Sequence, residues 1–371
     1  MVFSPTTPYG RETMSDGLTK LALMHDSEDM IGLTRSFVND IRTGFSTLNN
    51  GLIPWLDKVS KQSWKGVLCL GMGGSAAGGD FLSSLCDRYG RIPVRVTRGY
   101  ELPNWWNEHW LIIATSYSGN TEETVTAVRE AIELRATIIV ISSGGELAGL
   151  AEMNDKVHLI TVPAGQPPRT AFGHLFSRQL GLFEYMGFLP AQIDEEGLNR
   201  LQSFNEEADI ISNPDGSIPS LALSLAEGPI AALGPIEMGP VLIRFKNQAN
   251  ENASRFVRIG EIPEMNHNEV VAWGGVGDDS DPYAEQQNLL LFTWDHMSAK
   301  VQHRFDWFVA HCPTKTVWRV HGEGSTLVEA YLHHCLTMDW LTIALALVHG
   351  KDPSSIDPII SLKQYLQSIE T

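Results

Sequence analysis

The stretch VLCLGMGGSAAGGDF, residues 67–81, joins a short apolar run to a loop of glycine and serine. Residues 67–70 are apolar enough for a buried strand, and the small residues that follow permit a tight turn into a helix. We expect that helix to run from about Ser75 to Cys86. A helix N-terminus carries unpaired N–H donors and a partial positive charge, so this junction is suited to bind an anion.

The same glycines are compatible with two further roles. Residues 71–76, GMGGSA, also satisfy the dinucleotide-binding pattern G-x-G-x-x-G/A. A tight strand-to-helix turn without any ligand accounts for the loop equally well. The dinucleotide interpretation is weakened because no acidic residue convincingly follows the second predicted strand, where such a residue would bind the ribose.

The rest of the chain alternates between short apolar runs and helical segments. The predicted strands span residues 93–97, 110–115, 137–142, 157–162, 229–233, 289–294 and 316–320. The predicted helices span residues 121–134, 171–185, 240–253 and 326–348. This alternation indicates βαβ units. We therefore expect an α/β fold in which two mostly parallel, doubly wound sheets are flanked by helices, in the flavodoxin-like manner.

A chain of 371 residues suits two domains of about 150 residues each. We expect a helical N-terminal extension, a first domain, a connecting helix with a linker, and a second domain ending in a helix, over residues 1–60, 61–193, 194–219 and 220–371. The acidic, glycine-rich residues 274–287 are expected to form an exposed loop.

The net charge of the chain limits which classes of binding partner are expected. The formal net charge is −17, and 43% of the residues are hydrophobic, which is enough for two cores. Nucleic acids and anionic membranes require a basic surface, so neither is expected as a partner. An anionic small molecule would have to be held locally, by backbone N–H groups, hydroxyls and one or two cations.

The sequence also favours a cytoplasmic protein. The longest apolar run, residues 341–348 with Thr342 inside it, is well short of the roughly 20 residues that span a bilayer. The N-terminal residues MVFSPTTPYG lack the basic and apolar regions of a secretory signal. The cysteines show no CxxC spacing, and we interpret them as buried free thiols: Cys69, Cys86, Cys312 and Cys335.

A second loop supports an anion site. The predicted strand 110–115 runs into Ser116-Tyr-Ser118-Gly-Asn-Thr121, which opens another helix. Helix capping with a downstream Glu would account for one of these hydroxyls, but not for three around a glycine at a strand end. Ligands of open α/β sheets bind at the carboxyl ends of strands. We therefore expect the hydroxyls to contact a phosphate.

Two charged residues in other segments are candidates for chemistry. Arg169, in QPPRTAFG (166–173), lies at a predicted helix start, where the helix dipole disfavours a cation and an anionic partner is expected. A solvated surface Arg is the alternative. Glu251, in NENA (250–253), is flanked by amides, and by itself it would more often be an ordinary surface Glu.

A histidine and a lysine are the remaining candidate catalytic residues. His267, in PEMNHNE (263–269), has a side chain that titrates near neutrality, although a lone loop His is usually only solvated. Lys363 falls inside an apolar stripe of the last helix, formed by Ile356, Ile359, Ile360 and Leu366. Lysines are seldom buried unless they are paired or functional, and a snorkelling side chain is the alternative.

The segments GMGGSAAGGDF and TSYSGNTEET together resemble the paired signature of sugar-isomerase (SIS) domains, which bind phosphosugars. With PPRTAFG, NENA, PEMNHNE, the helix containing Met338-Asp339, and GKDPSSIDPIISLK, they resemble the bifunctional phosphoglucose/phosphomannose isomerases of archaea and bacteria, which contain two SIS domains. The resemblance covers residues 66 to about 366. Family members often carry Lys directly after NENA, where this chain has Ser254 and Arg255.

The resemblance implies an isomerase of glucose 6-phosphate or mannose 6-phosphate that forms fructose 6-phosphate. It implies phosphate contacts from the loop residues Gly74, Ser75, Ser116, Ser118 and Thr121. Glu251 matches the base that moves the proton between C1 and C2, and Arg169 matches the residue that stabilises the enediolate.

His267 and Lys363 match the acid/base pair that opens the sugar ring. The family's His comes from the partner subunit, which implies a homodimer with shared active sites.

The implied reaction needs neither a metal nor a cofactor, because a carboxylate, an Arg and a His or Lys satisfy its demands. No cluster in the sequence has zinc-ligand spacing, and the adjacent His333 and His334 are interpreted as structural. Two alternatives remain: a non-catalytic phosphosugar-binding SIS protein, and a SIS isomerase of another sugar phosphate, such as an amino sugar or a heptulose.

Overall fold

The computed structural model describes residues 14–49 and 53–369, so parts of the predicted N-terminal extension lie outside the described residues. Within these residues, two all-parallel sheets are flanked by helices, which confirms the predicted fold class. The strands of the first sheet are β1 (Gly66–Leu70), β2 (Val94–Thr97), β3 (Trp110–Thr115), β4 (Ile138–Ser142) and β5 (Val157–Thr161). Their order is β2-β1-β3-β4-β5, the flavodoxin-like order.

Helices cover both faces of the first sheet. They are α5 (Gly73–Tyr89), α6 (Glu122–Glu133), α7 (Gly145–Met153) and α8 (Phe172–Tyr185). β1, β3 and β4 are nearly or fully buried and rich in aliphatic residues, as expected for strands covered on both faces.

The second sheet repeats the arrangement with one strand fewer. Its strands are β6 (Ile230–Pro235), β7 (Val257–Ile262), β8 (Asn288–Trp294) and β9 (Thr316–Gly322), in the order β7-β6-β8-β9. Its helices are α11 (Gly239–Ala253), α12 (Val270–Trp273), α13 (Ala299–His311), α14 (Leu327–Val348) and α15 (Asp357–Ile369). Two helices join the sheets, α9 (Glu195–Ala208) and α10 (Ser217–Leu225).

The N-terminal residues form four helices, α1 (Met14–His25), α2 (Met30–Arg35), α3 (Phe37–Asn49) and α4 (Pro54–Ser60). α3 packs along α8, so this layer covers the first sheet's last helix. Gly173 and Gly181 on α8 permit the close approach, because an added Cβ at either position would press on α3 side chains.

The longest described helix, α14, is buried on all sides, and every residue from Leu327 to Leu347 lies in the interior. It packs against α1, α2, α9, α10 and α11. Among the described helices it alone is long and apolar enough to cross a membrane, but 94% of its most apolar window is buried inside the protein. α14 is therefore the central core helix.

Two smaller predictions are confirmed. All four cysteines are buried and free, and burial raises the pKa of Cys335 to about 12. The exposed loop predicted over residues 274–287 is confirmed for residues 275–283, whereas Gly274, Ala284 and Gln287 are buried.

Candidate functional site

The loops that follow β1 and β3 meet at the carboxyl edge of the first sheet, because the two strands are neighbours. The Ser75 hydroxyl accepts a hydrogen bond of 3.1 Å from the backbone N–H of Tyr117. This bond joins the glycine-rich loop directly to the serine-rich loop. The two motifs, 42 positions apart at this contact, therefore form one continuous surface.

The serine-rich loop gathers its hydroxyls around a glycine. The Ser116 and Thr121 oxygens lie 2.8 Å apart, and the Gly119 N–H donates to Ser116 Oγ at 3.2 Å. Gly119 has φ of +71°, and an added Cβ would lie 1.8 Å from the Gly144 carbonyl oxygen, so only glycine fits. Ser118 is exposed at the tip of the loop.

Helix capping does not account for these hydroxyls. Thr121 occupies the N-cap position of α6, yet its side chain makes no capping hydrogen bond. Its hydroxyl lies instead beside Ser116, facing the loop. The hydroxyls are thus available at a helix start for an anionic ligand.

Arg169 is buried, with 4% of its surface exposed, which rules out a solvated surface Arg. Its Nε donates to Asn252 Oδ1 at 2.7 Å, and its Nη2 donates to the Pro353 carbonyl at 2.7 Å. Its Nη1 lies 3.6 Å from Glu251 Oε2, the anionic partner expected from the sequence.

Glu251 lies in the last turn of α11, with 28% of its side chain exposed. Burial raises its pKa above the ordinary value, while Arg169 and Arg244 act in the opposite direction. The carboxylate is therefore partly desolvated, which makes it a stronger base, while the two cations limit the rise in its pKa.

A buried hydrogen-bond network, which the sequence analysis did not predict, fixes α11 against α14. Arg244 forms two hydrogen bonds of 2.7 and 2.9 Å with Asp339 on α14, and Gln248 donates to the same carboxylate. Asn252 donates to Thr342 at 3.0 Å while accepting from Arg169. The signal in the sequence was the helical spacing of Arg244, Gln248 and Asn252, which places them on one face of α11.

The glycine-rich loop also reaches the Arg169 segment. An added Cβ at Gly74 would lie 3.4 Å from Arg169 Cα, so the two backbones are in contact. A cavity lies between α5 and α11, and Gly74, Arg169 and Glu251 are among its lining residues. The cavity therefore connects the glycine-rich loop to the candidate base.

His267 and Lys363 are not brought into this cavity. His267 ends the short 3₁₀ turn Glu264–His267 after β7, and its side chain is exposed. Lys363 lies on α15, which has no buried residue, and its side chain is also exposed. The apolar stripe around Lys363 is therefore not packed within the described part of a single chain.

The adjacent histidines of α14 are structural, as interpreted from the sequence. His333 and His334 are buried, and burial lowers the pKa of His333 to about 4 and that of His334 to about 3. Among residues 14–49 and 53–369, no group of three or more His, Cys, Asp or Glu side chains could hold a metal ion.

The fold resembles that of solved sugar-phosphate enzymes. The C-terminal domain of glucosamine-fructose-6-phosphate aminotransferase from Francisella tularensis superposes with a TM-score of 0.67 at 13% identity, covering 89% of this chain and 98% of that one. At that identity the likeness concerns the fold alone. It is consistent with two SIS-type sheets.

Comparison of sequences gives the family. Residues 217–366 match the family model described as bacterial phospho-glucose isomerase C-terminal SIS domain. The bifunctional phosphoglucose/phosphomannose isomerase of Caldicellulosiruptor bescii is 30% identical over 82% of this chain and 90% of its own length. The Aquifex aeolicus enzyme of the same name is 29% identical over 82% and 91%. This chain, in which the glycine-rich loop, a buried Arg and a flanking Glu line one cavity, belongs to the bifunctional phosphoglucose/phosphomannose isomerase family.

Proposed function

We propose that this chain is an aldose–ketose isomerase that interconverts glucose 6-phosphate or mannose 6-phosphate with fructose 6-phosphate. The observation that carries the proposal is the Arg169–Glu251 contact of 3.6 Å on a cavity that the glycine-rich loop also lines. A carboxylate beside a buried guanidinium can take a proton from carbon and stabilise the oxyanion that results.

The phosphate is held by the two loops of the first sheet. Ser75, Ser116, Ser118 and Thr121 supply hydroxyl donors, and the backbone at Gly74 approaches the ligand closely. α5 and α6 both begin at these loops, so their N-terminal N–H groups favour the negative charge. Local donors thus bind an anion despite the net charge of −17.

Glu251 then moves one proton. Its carboxylate removes the proton from C2 of the open-chain aldose, and the C–H electron pair forms the C1=C2 double bond. The carbonyl electrons move onto O1, and Arg169 stabilises the negative charge of the enediolate. Once the hydroxyl proton has passed from O2 to O1, Glu251 returns its proton to C1 and the ketose forms.

Glucose and mannose phosphates differ only at C2. Rotation about the C2–C3 bond of the enediolate presents either face of C2 to the same carboxylate. One base can therefore serve both sugars.

Ring opening is assigned to Lys363 and to His267 of the partner subunit. Both residues are exposed in the single chain and lie outside the cavity, which supports a homodimer in which the sites are completed by association. α15 carries exposed apolar side chains beside Lys363, including Ile360, Leu362 and Tyr365, as expected for a surface that a second subunit covers. We place this metabolic enzyme in the cytoplasm.

Purified protein tests the proposal directly. Coupled assays with glucose 6-phosphate and with mannose 6-phosphate should both detect fructose 6-phosphate, at rates that EDTA does not lower. Turnover of neither sugar would contradict the proposal. Binding of both sugars without turnover would favour the non-catalytic phosphosugar-binding alternative.

A further inference from the structure

The connection between α1 and α2 forms a hydrogen-bonded contact with the segment that precedes α15. The Ser27 hydroxyl donates to Asp352 Oδ2 and lies 3.1 Å from the Ser354 hydroxyl. These residues are 325 and 327 positions apart in sequence. We call Ser27, Asp352 and Ser354 the terminal clamp.

The terminal clamp surrounds the carbonyl that orients Arg169. Asp352 Oδ1 accepts from the Ser354 backbone N–H at 2.8 Å and from its hydroxyl at 2.6 Å. Pro353 lies between these two residues, and its carbonyl accepts from Arg169 Nη2. Because both flanking residues are tied to one carboxylate, the direction of the Pro353 carbonyl is fixed.

The guanidinium is therefore held from two sides. Asn252 binds Nε from α11, and Pro353 binds Nη2 from the terminal clamp. Nη1 remains facing Glu251 at 3.6 Å. A planar group fixed at two of its nitrogens has one orientation, so the clamp determines where Nη1 points.

The same connection adds negative charge near Arg169. Burial lowers the pKa of Arg169, while Glu251, Glu28 and Asp352 act against that decrease. Glu28 directly follows Ser27 and lines a second cavity together with Arg169 and Ser354. The connection is thus close enough to the cation to influence it electrostatically.

We propose that Ser27 and Asp352 are positioning residues that orient Arg169 toward the enediolate, so that the N-terminal helices act on the reaction from outside the two sheets. The inference rests on the isomerase function proposed above. It gives the N-terminal layer a role in catalysis in addition to packing.

The hydrogen bonds of the terminal clamp can be removed without disrupting the structure of the connection between α1 and α2. α2 is anchored independently, because Asp26 accepts from the N–H groups of Met30 and Ile31 at 2.7 and 3.1 Å and the N-cap residue Asp29 accepts from Gly32. Ser27 itself is exposed, so its replacement leaves no cavity. Ser27→Ala therefore deletes one hydroxyl from an otherwise anchored segment.

The experiment compares Ser27→Ala, Ser27→Thr and Ser46→Ala. Ser46 is exposed on α3 and donates only to the Thr43 carbonyl of its own helix, so its variant is the matched control. We expect Ser27→Ala to lower kcat about tenfold with KM changed less than about twofold, since misplacing a group that acts on the transition state affects kcat. Ser27→Thr should restore most of kcat, because it keeps the hydroxyl.

A binding measurement separates this inference from the function on which it rests. The probes are a five-carbon aldonate 5-phosphate, whose carboxylate mimics the enediolate, and inorganic phosphate. Ser27→Ala should weaken binding of the aldonate about tenfold and leave binding of inorganic phosphate unchanged.

If the wild-type protein were inactive, the isomerase proposal would be overturned. The affinities of Ser27→Ala for the aldonate and for inorganic phosphate would still test whether Ser27 positions Arg169. Equal kcat in Ser27→Ala and wild type would overturn the inference, as would equal losses for both probes. Failure of Ser27→Thr to exceed Ser27→Ala would also overturn it.

Discussion

The two parallel sheets share the order of their first four strands but present different groups at their carboxyl edges. The first sheet ends in glycines and hydroxyls, and the second ends in carboxylates, with Glu237 after β6 and Asp295 after β8. Glu237 accepts from Trp294 Nε1 at 3.0 Å, and Asp295 pairs with His321. Two carboxylates at this edge disfavour a phosphate, in contrast to the edge of the first sheet, where the phosphate site is proposed.

In each sheet, the helix that follows the first strand contributes to the proposed site, but the two helices contribute from opposite ends. In the proposed site, α5 offers its N-terminus to the phosphate, whereas α11 contributes Glu251 from its last turn. From Gly239 to Glu251 the helix advances about 18 Å along its axis. A repeated βαβ unit can therefore supply an anion site from one copy and a base from the other.

The largest effect is expected when the base is removed. Glu251→Gln keeps the size of the side chain but cannot accept the proton, so kcat should fall about a thousandfold while phosphosugar affinity stays within about threefold. Coupled assays and calorimetric titration measure the two quantities. Asp295→Asn is the control, since Asp295 is 60% exposed at the edge of the second sheet. Full activity in Glu251→Gln would exclude Glu251 as the base.

The first sheet also has an additional helix, α3, which packs against α8. Asp40 on α3 contacts His174 on α8 at 3.2 Å and accepts from Gln166 at 3.3 Å. Burial raises the pKa of Asp40 to about 6, although Gln166 and Arg178 oppose the shift. The folded state therefore favours the protonated carboxyl, and this stabilisation is lost as pH rises from about 4 through 6.

Asp40→Asn should be more stable than wild type at pH 7 by about 2–3 kcal/mol, with the difference disappearing near pH 4. Both proteins keep His174, so the difference between their free energies of unfolding reports on Asp40. Denaturant unfolding at several pH values measures it, with Asp87→Asn, an exposed position on α5, as the control. A difference independent of pH would contradict this account.

The smallest effect is expected from one hydroxyl of the serine-rich loop, where the phosphate site is proposed. Ser118→Ala should raise KM for either sugar phosphate about tenfold with little change in kcat, since a hydrogen bond to a charged phosphate is lost in ground and transition states alike. Ser298→Ala makes the same change in the loop after β8, where the exposed Ser298 makes no capping bond, and should leave KM unchanged. Similar changes in both variants would remove the functional distinction between the two edges.

The fold was largely predictable because buried parallel strands give continuous apolar runs. β3 was predicted at its observed bounds. β7 was missed, since it is an edge strand in which Arg258 and Glu261 interrupt the apolar pattern. The helices α7, α10 and α13 were also missed: α7 is short and contains glycines, α10 begins in the stretch predicted as a linker, and α13 is mostly exposed.

Site residues could be predicted from the sequence only where the local environment of a side chain required a partner. An Arg at a helix start requires an anion, and the structure supplies Glu251. The buried Arg244–Asp339 pair was not predictable, because its partners lie on α11 and α14, 95 positions apart. The amphipathic stripe of α15 indicated an apolar contact, but periodicity does not say whether the same chain provides it.

One consequence of the buried α14 concerns biosynthesis. Tyr331 on α14 contacts Phe81 beside the first sheet, and Asp339 binds Arg244 beside the second, so both halves depend on the same late segment. A ribosome releases this helix only after both sheets have emerged, and until then the nascent chain exposes apolar surface that attracts chaperones. A premature stop codon before Leu327 would consequently abolish the whole enzyme and not just its second half.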